Sequence, residues 1–506
     1  MATTAVRPSE PAPGRAGRCL GWTLAATVVS GVLFHFGLGF EPVAVLAWIA
    51  PLPVLLLAPR VGGWVASAAA FLGYFAGSAG SWSYFLNSLT IPLPGALAIL
   101  IGAPLLFAAT VAFFRRLVRV GRPILATVAT PALWTGVLYG VSLLSPVGVM
   151  GTFMTSQADH PDVLRIASVS GGWGIEYLVL LAPVAFAAAF APGRRASANS
   201  ATPQPAPHAS AQPAGSPPAP RGVRTSARAG ILVVTAAAAG GALMWGAAAP
   251  SGSANHVRIA VLARSQPHWA ADPATGAGRQ VLESYVDALA VLPPDVRIAV
   301  LPEGAFGSDR ARLANITGPL SDLARAKRLH IVTGTIVQDP GRTYNTALDV
   351  PPTGPIVEYH KWRTGTSPVT AGNDLAFLPG QHIGLEVCMD VNGSSPTSDY
   401  APAGAGLILI PASDEDVDGW QHSRTAVLRG VENGVSVAWS ATRGAPTLSD
   451  ATGHVLADTR TGSTPMATAT ADVPLGTGDT PYRHLHDWFA WLCGLTALPG
   501  LFLTRK

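Results

Sequence analysis

Three residues in the second half of this 506-residue chain have side chains suited to covalent chemistry: Glu303, Lys361 and Cys388. Glu303 leaves an apolar run in Leu301-Pro302-Glu303-Gly304. A carboxylate at the end of a buried strand is poorly solvated, which would raise its pKa and suit it to a general base. The competing reading is a solvated turn residue. Lys361 stands in Tyr359-His360-Lys361-Trp362-Arg363, in a chain with three lysines against thirty arginines. Where composition favours Arg for a plain positive charge, a Lys points to a need for a compact ammonium, unless it is an ordinary surface cation. Cys388 closes the apolar run 383–387, and the other two cysteines, Cys19 and Cys493, lie at or in long apolar segments, which leaves it without a disulfide partner. A lone cysteine at a strand end is a candidate nucleophile or a small buried hydrophobe.

These residues need elements to hold them. Short β-rich runs recur at 257–263, 296–301, 330–337, 383–388, 406–411 and 435–441. Helical patterns fall between some of them, at about 279–291, 317–328 and 421–433. Alternating strands and helices predict an α/β sandwich or a doubly wound sheet over 250–483, with its site at the strand ends.

The first half reads differently. Hydrophobic residues make up 49% of the whole chain and charged residues 12%, about half the usual charged share. That excludes a disordered chain or a coiled coil, and the length allows two to four domains. Residues 1–250 hold 14 basic and 5 acidic residues; residues 251–506 hold 19 and 24. The small net charge of +4 is therefore no nucleic-acid signal. A membrane span needs about 20 apolar residues. Segments near 21–39, 42–58, 63–86, 94–114, 124–145, 174–191, 229–248 and 487–503 qualify. With eight spans, the clusters at Arg7, Arg15 and Arg18, at Arg60, at Arg115–Arg122, at Arg194–Arg228 and at Arg505-Lys506 all fall on one side. By the excess of basic residues on cytoplasmic loops, that side is the cytoplasm. Residues 1–20 are then a cytoplasmic tail, 21–191 a six-span bundle, 192–227 a disordered Ala/Pro/Ser-rich linker, 228–249 span seven and 484–506 span eight with a short tail. The α/β domain at 250–483 lies outside the cytoplasm.

Glu303, Lys361 and Cys388, in that order and in those contexts, resemble the Glu-Lys-Cys triad of the nitrilase (carbon–nitrogen hydrolase) superfamily. Tyr344-Asn345-Thr346-Ala347, Arg429-Gly430-Val431-Glu432-Asn433 and Ser449-Asp450 followed by Gly453 resemble further elements of that superfamily. A nitrilase domain with seven spans before it and one after is similar to the apolipoprotein N-acyltransferase family, as is Gly171-Gly172-Trp173-Gly174. The resemblance implies an αββα sandwich on an α-helical membrane bundle. It also implies acyl transfer from a membrane phospholipid, through a thioester on Cys388, to the N-terminal amine of a diacylglyceryl-cysteine lipoprotein. Glu303 would be the base, and Lys361 with a backbone N–H near Met389 would hold the oxyanion. No metal, soluble cofactor or nucleic acid is implied.

The chain departs from that family in three places. Lys361 is followed by Trp362-Arg363-Thr364-Gly365 in place of His-Leu-Val-Pro, and the extra loop glutamate has only the displaced Asp374 as a counterpart. Cys-Tyr-Glu becomes Cys388-Met389-Asp390. Asn-Asp-x-Trp-Phe becomes Ser413-Asp414 with Trp420 further on. Glu432, Asp390, Trp420 and Phe377 are candidate substrate-site residues, Phe377 because the apolar stretch 375–379 could line a lipid entrance or pack locally. Glu176, an acid in a span, is a pore or substrate candidate by default. His484-Leu485-His486-Asp487 is a weak metal pattern where interfacial anchors belong. A membrane-tethered amidase, a nitrilase-domain protein of conjugal transfer and a non-catalytic domain are the alternatives.

Overall fold

The computed structural model describes residues 15–88, 91–145, 148–149, 151–192, scattered positions from 230 to 244, 255–265, 269–365, 367–462 and 464–503. The expected cytoplasmic tail up to residue 14, nearly all of the linker and most of the seventh span lie outside them.

The apolar segments are helices. Four are long and apolar enough to cross a membrane: α1 (Arg15–Gly37), α6 (Leu93–Arg119), α7 (Pro123–Ser142) and α10 (Gly172–Ala189). The predicted span at 42–58 is broken into α2 (Ala44–Ile49) and α3 (Leu52–Leu57), followed by a 3₁₀ turn at Ala58–Arg60. Pro51 and Pro53 lie at the break, where a proline removes a helix donor and disturbs the preceding turn. The stretch 63–86 likewise divides into α4 (Gly63–Gly77), α5 (Ala79–Ser83) and a π turn at Tyr84–Ser88. Two one-turn helices, α8 (Pro161–Leu164) and α9 (Ala167–Ser170), precede α10, and α16 (Trp488–Leu503) closes the chain after α15 (Pro481–Leu485).

The α/β domain has two sheets. The seven-stranded sheet runs β12 (Ala467–Pro474), β1 (His256–Ala263), β2 (Ile298–Val300), β4 (His330–Asp339), β5 (Arg342–Val350), β6 (Val357–His360), with β3 (Phe306–Asp309) also paired to β4. The five-stranded sheet runs β11 (Val455–Asp458), β10 (Thr447–Ser449), β9 (Ser436–Thr442), β8 (Leu407–Ser413), β7 (Ile383–Leu385). β1, β2 and β4 pair in parallel, as do β7, β8 and β9. Side chains alternate faces along a strand, and β1 shows what this achieves. Ile259 and Val261 join the core between the sheets, with Val300, Leu385, Leu409 and Trp439. Ala260 and Leu262 face the opposite core, beneath α11 (Gly276–Ala290) and α12 (Ala314–Lys327). Residue 383–388 is not one strand: the ladder stops at Leu385, and Cys388 opens a 3₁₀ turn to Asn392.

The remaining long helix, α14 (Gly419–Asn433), packs on β9, while Val427, Leu428 and Val431 belong to the apolar core of the bundle. Its hydrogen bonds join the two parts. Glu432 accepts from the Gly172 N–H at the start of α10 (2.8 Å) and from Arg429 (2.6 Å). Gly172 is a close approach: a Cβ there would meet the Met154 sulfur and the Leu428 side chain. Trp420 donates to Asp159 (3.0 Å), Arg424 pairs with Asp159 (2.5 Å), and the Tyr84 hydroxyl donates to Asp418. Because Arg429 and Glu432 are both buried, removing one partner strands the other charge, a loss of about 3–5 kcal/mol. Arg429→Ala should therefore lower the stability of the full chain in detergent by that order in a denaturant titration. Arg429→Met combined with Glu432→Leu should recover most of the loss. An unchanged midpoint for Arg429→Ala would contradict this account of the docking.

Candidate functional site

Of the three residues singled out first, Glu303 and Lys361 are in contact and Cys388 lies within range of both charges. Glu303 follows β2, and its N–H donates to Ala412 O in β8 (3.0 Å), so the base strand is stitched to the opposite sheet. Gly334 in β4 allows the close approach, since a Cβ there would collide with the Glu303 backbone. Lys361 follows β6; its N–H donates to Asn345 O (2.9 Å) in β5. Its Nζ donates to Glu303 Oε1 at 2.7 Å, and Asn345 Nδ2 donates to the same oxygen at 2.6 Å. Glu303 is 3% exposed and Lys361 6%. Asn345 is thus a site residue that the motif Tyr344-Asn345-Thr346-Ala347 contained without marking its role.

Cys388 is 3% exposed and has φ +46°, the left-handed region that a side chain rarely adopts. Such a conformation costs roughly 1–3 kcal/mol and persists only where the surroundings hold it. Asp390 is one such hold. Its carboxylate accepts from the Val387 N–H (3.2 Å), the Tyr359 hydroxyl (2.7 Å) and the Trp362 and Arg363 N–H groups (3.1 and 2.7 Å). Asp390, a candidate substrate-site residue, ties the segment after Lys361 to the turn bearing Cys388. Arg429 is a second hold, donating to Val391 O (3.0 Å).

The charges act on one another. Burial pushes the Cys388 thiol well above the usual cysteine range; the Glu303 carboxylate adds to this and the Lys361 ammonium opposes it. Burial alone would lower the Lys361 ammonium, but the facing Glu303 carboxylate, with Cys388 and Asp390, outweighs it and the net direction is upward. Lys361 is therefore a fixed cation, and the resting sulfur is a thiol that must lose its proton to react. Lys361 has three N–H donors, of which one serves Glu303.

The other candidates are placed further away. Met389, next to Cys388, is half-buried. Phe377 packs edge-on against Tyr400 (5.3 Å), and the 375–377 segment lies against the core between the sheets. Trp420 and Glu432 sit where α14 meets the bundle. Glu176 is buried within the bundle, accepting from Trp134 Nε1 (2.7 Å) and the Met154 N–H (2.9 Å), an internal pin in place of a pore lining. Asp374 is exposed, and its carbonyl accepts from Trp362 Nε1 (3.3 Å). His484 faces Asp479 (3.5 Å), while Asp487 accepts from Trp173 and Tyr482, so that segment anchors α16 to the bundle. Two residues went unmarked in the sequence. Trp269 covers the Glu303-Gly304 turn, where a Cβ on Gly304 would meet its ring. His422 in α14 bonds Asp414 at the end of β8 (2.9 Å), close beside Cys388.

The chain is similar to several known proteins. Residues 258–480 match the carbon-nitrogen hydrolase family. An apolipoprotein N-acyltransferase of Geobacter metallireducens is 25% identical over 533 aligned positions, covering 95% of each chain. An (R)-stereoselective amidase of a Pseudomonas species is 25% identical over 169 positions, 30% of this chain and 61% of that one. Among solved structures, an amidase of Nesterenkonia sp. AN1 is 19% identical with a TM-score of 0.38, covering 45% of this chain and 96% of its own. Saccharomyces cerevisiae Nit3 is 16% identical with a TM-score of 0.37, covering 44% and 93%. Over residues 258–480 the chain matches the carbon–nitrogen hydrolase family, and over nearly its whole length it is similar to an apolipoprotein N-acyltransferase.

Proposed function

We propose that the protein is an N-acyltransferase of the cell membrane that moves a fatty acyl chain from a phospholipid to the N-terminal amine of a diacylglyceryl-cysteine lipoprotein. The observation that carries this reading is the similarity to an acyltransferase across 95% of both chains, since a hydrolase domain alone would match only the second half. The apolar helices support it. Acyl chains bury about 0.8 kcal/mol per CH₂, so neither lipid leaves a bilayer readily and the site must come to it. In this reading the chain spans the membrane eight times, with its basic clusters cytoplasmic and the domain at 250–483 outside.

The site geometry suits a two-step exchange. Glu303 takes the thiol proton, and Cys388 Sγ attacks the ester carbonyl of the phospholipid. Lys361 and a backbone N–H at Met389 stabilise the oxyanion. The ester C–O bond breaks, and Glu303 returns the proton to the lysolipid oxygen. The lipoprotein amine then attacks the thioester; a C–N bond forms, the C–S bond breaks, and the amine proton passes through Glu303 to the sulfur. The partial similarity to an amidase favours one rival, in which water takes the place of the amine.

Two experiments bear on this. With phospholipid labelled in one acyl chain and a diacylglyceryl-cysteine peptide, the label should appear on the peptide as a hydroxylamine-stable amide, and Cys388→Ser should abolish it. Free fatty acid as the sole product, released at the same rate without peptide, would replace the acyltransferase with a hydrolase. The second concerns the nucleophile. Iodoacetamide labelling of the Cys388 peptide should follow thiol ionisation. Lys361→Met removes the charge that opposes the upward shift, so its labelling profile should move to higher pH. Glu303→Gln removes a charge that adds to the shift, so its profile should move lower, each by about one unit. Shifts of the same sign would refute the electrostatic roles.

A further inference from the structure

The proposed acyl transfer leaves two buried residues beside Cys388 without a task. Asp414 closes β8 and His422 lies in the first turns of α14, eight positions later. A carboxylate oxygen of Asp414, a ring nitrogen of His422 and the Cys388 sulfur all lie within 4.8 Å of one another, and all three residues are buried. His422 Nδ1 bonds Asp414 Oδ1 at 2.9 Å. Trp439 Nε1 donates to the second oxygen of Asp414 at 3.4 Å, and its ring packs against the imidazole at 4.8 Å between centroids. The other imidazole nitrogen, Nε2, is buried and has no hydrogen-bond partner among the described residues. Leaving a buried polar atom unsatisfied costs about 1–3 kcal/mol, so this ring has a nitrogen free to take a ligand.

The charge around these residues is unbalanced toward the negative. The Lys361 ammonium is matched by Glu303. Among the described residues Asp414 has His422 as its ion-pair partner, and the adjacent Asp418, which accepts from the Tyr84 hydroxyl and the Glu415 N–H, has none. A thiolate at Cys388 would add to the excess. Thiolate, imidazole and carboxylate together are a zinc-type donor set, and zinc takes them at about 2.3 Å for sulfur and roughly 2.0–2.2 Å for nitrogen and oxygen. A donor N–H on the ligating carboxylate, here from Trp439, is the outer contact that orients such ligands.

We propose that Cys388, Asp414 and His422 form a binding site for a thiophilic divalent cation of the Zn²⁺ class, and that occupation of this site and acylation of Cys388 exclude each other. On binding, a metal–sulfur bond forms and the thiol proton leaves to solvent. The sulfur lone pair that would attack a carbonyl is then held by the metal. The fourth coordination position stays open to water, and removal of the metal restores the free thiol. The proposal concerns the thiol and its two neighbours, whatever acyl donor the site accepts.

Cobalt is the probe, because a cysteine thiolate on Co²⁺ gives a charge-transfer absorption in the near ultraviolet. Metal-free full-length protein in detergent should develop this band with one equivalent of Co²⁺ and lose it on addition of Zn²⁺. Cys388→Ser should abolish it, and His422→Gln and Asp414→Asn should each weaken Co²⁺ binding at least about tenfold. In the unaltered protein, where no variant has to fold, Zn²⁺ should slow iodoacetamide labelling of the Cys388 peptide at least about tenfold, and a chelator should restore it. A band that persists in Cys388→Ser would assign the metal to Cys19 or Cys493 and overturn the proposal. So would unchanged labelling of Cys388 at saturating Zn²⁺.

Discussion

The ion pair between Glu303 and Lys361 is the constraint on which the rest of the domain depends. A buried pair of opposite charges contributes little by itself, because desolvation cancels much of the attraction, yet breaking it is costly. It persists only where every other donor and acceptor is in place. That requirement explains the architecture around it. Glu303 is fixed from the opposite sheet by Ala412, Lys361 is fixed from β5 by the Asn345 carbonyl, and the Asn345 amide completes the shared carboxylate oxygen. Both residues hang from the seven-stranded sheet while Cys388 follows β7 in the other, so the two sheets must stay in register to bring the pair and the sulfur together. The core between them, from Ile259 to Trp439, is what keeps that register.

A second constraint acts on Cys388. Its backbone is held in a conformation that the chain would not choose, between the Asp390 carboxylate on one side and Arg429 on the other. Arg429 belongs to α14, the helix whose apolar face enters the core of the bundle and whose Glu432 receives the first N–H of α10. The same helix carries His422 beside the sulfur. One helix therefore touches the bundle, the turn that Cys388 opens and the Cys388 sulfur's surroundings. Three hydrogen bonds, through Glu432 and Arg429, join the start of α10 to Val391 in the turn that Cys388 opens.

Much of this was legible in the sequence, and the gaps have physical reasons. The strands at β1, β2, β4, β7, β8 and β9 were marked because strands buried on both faces read as continuous apolar runs. β12 was missed because Ala467–Pro474 alternates small and polar residues, with every second one facing out. The segments at 42–58 and 63–86 have the length and composition of spans; the joints within them, at Pro51 and Ser78, are local backbone features that composition does not register. Asp390 was identified as a residue of interest by its place after Cys388; its role as a backbone tie depends on Tyr359 and Arg363, which only folding brings near. Asp414 stood in the counterpart of a family motif but His422 carried none, because their meeting depends on how β8 turns into α14. Glu176 looked like a functional acid in a span, and the two donors that satisfy it, Trp134 and Met154, lie far from it in sequence.

The central claim is that the Glu303–Lys361 pair exists to make Cys388 a carrier of acyl chains. It is tested most directly by peptide mass spectrometry of the purified protein after incubation, without acceptor, with a phospholipid of a single defined acyl chain. The account predicts one such chain on the peptide that contains Cys388, removed by neutral hydroxylamine and absent in a folded Glu303→Gln variant. A folded, unaltered protein that carries no adduct, or carries it on another residue, would contradict the account.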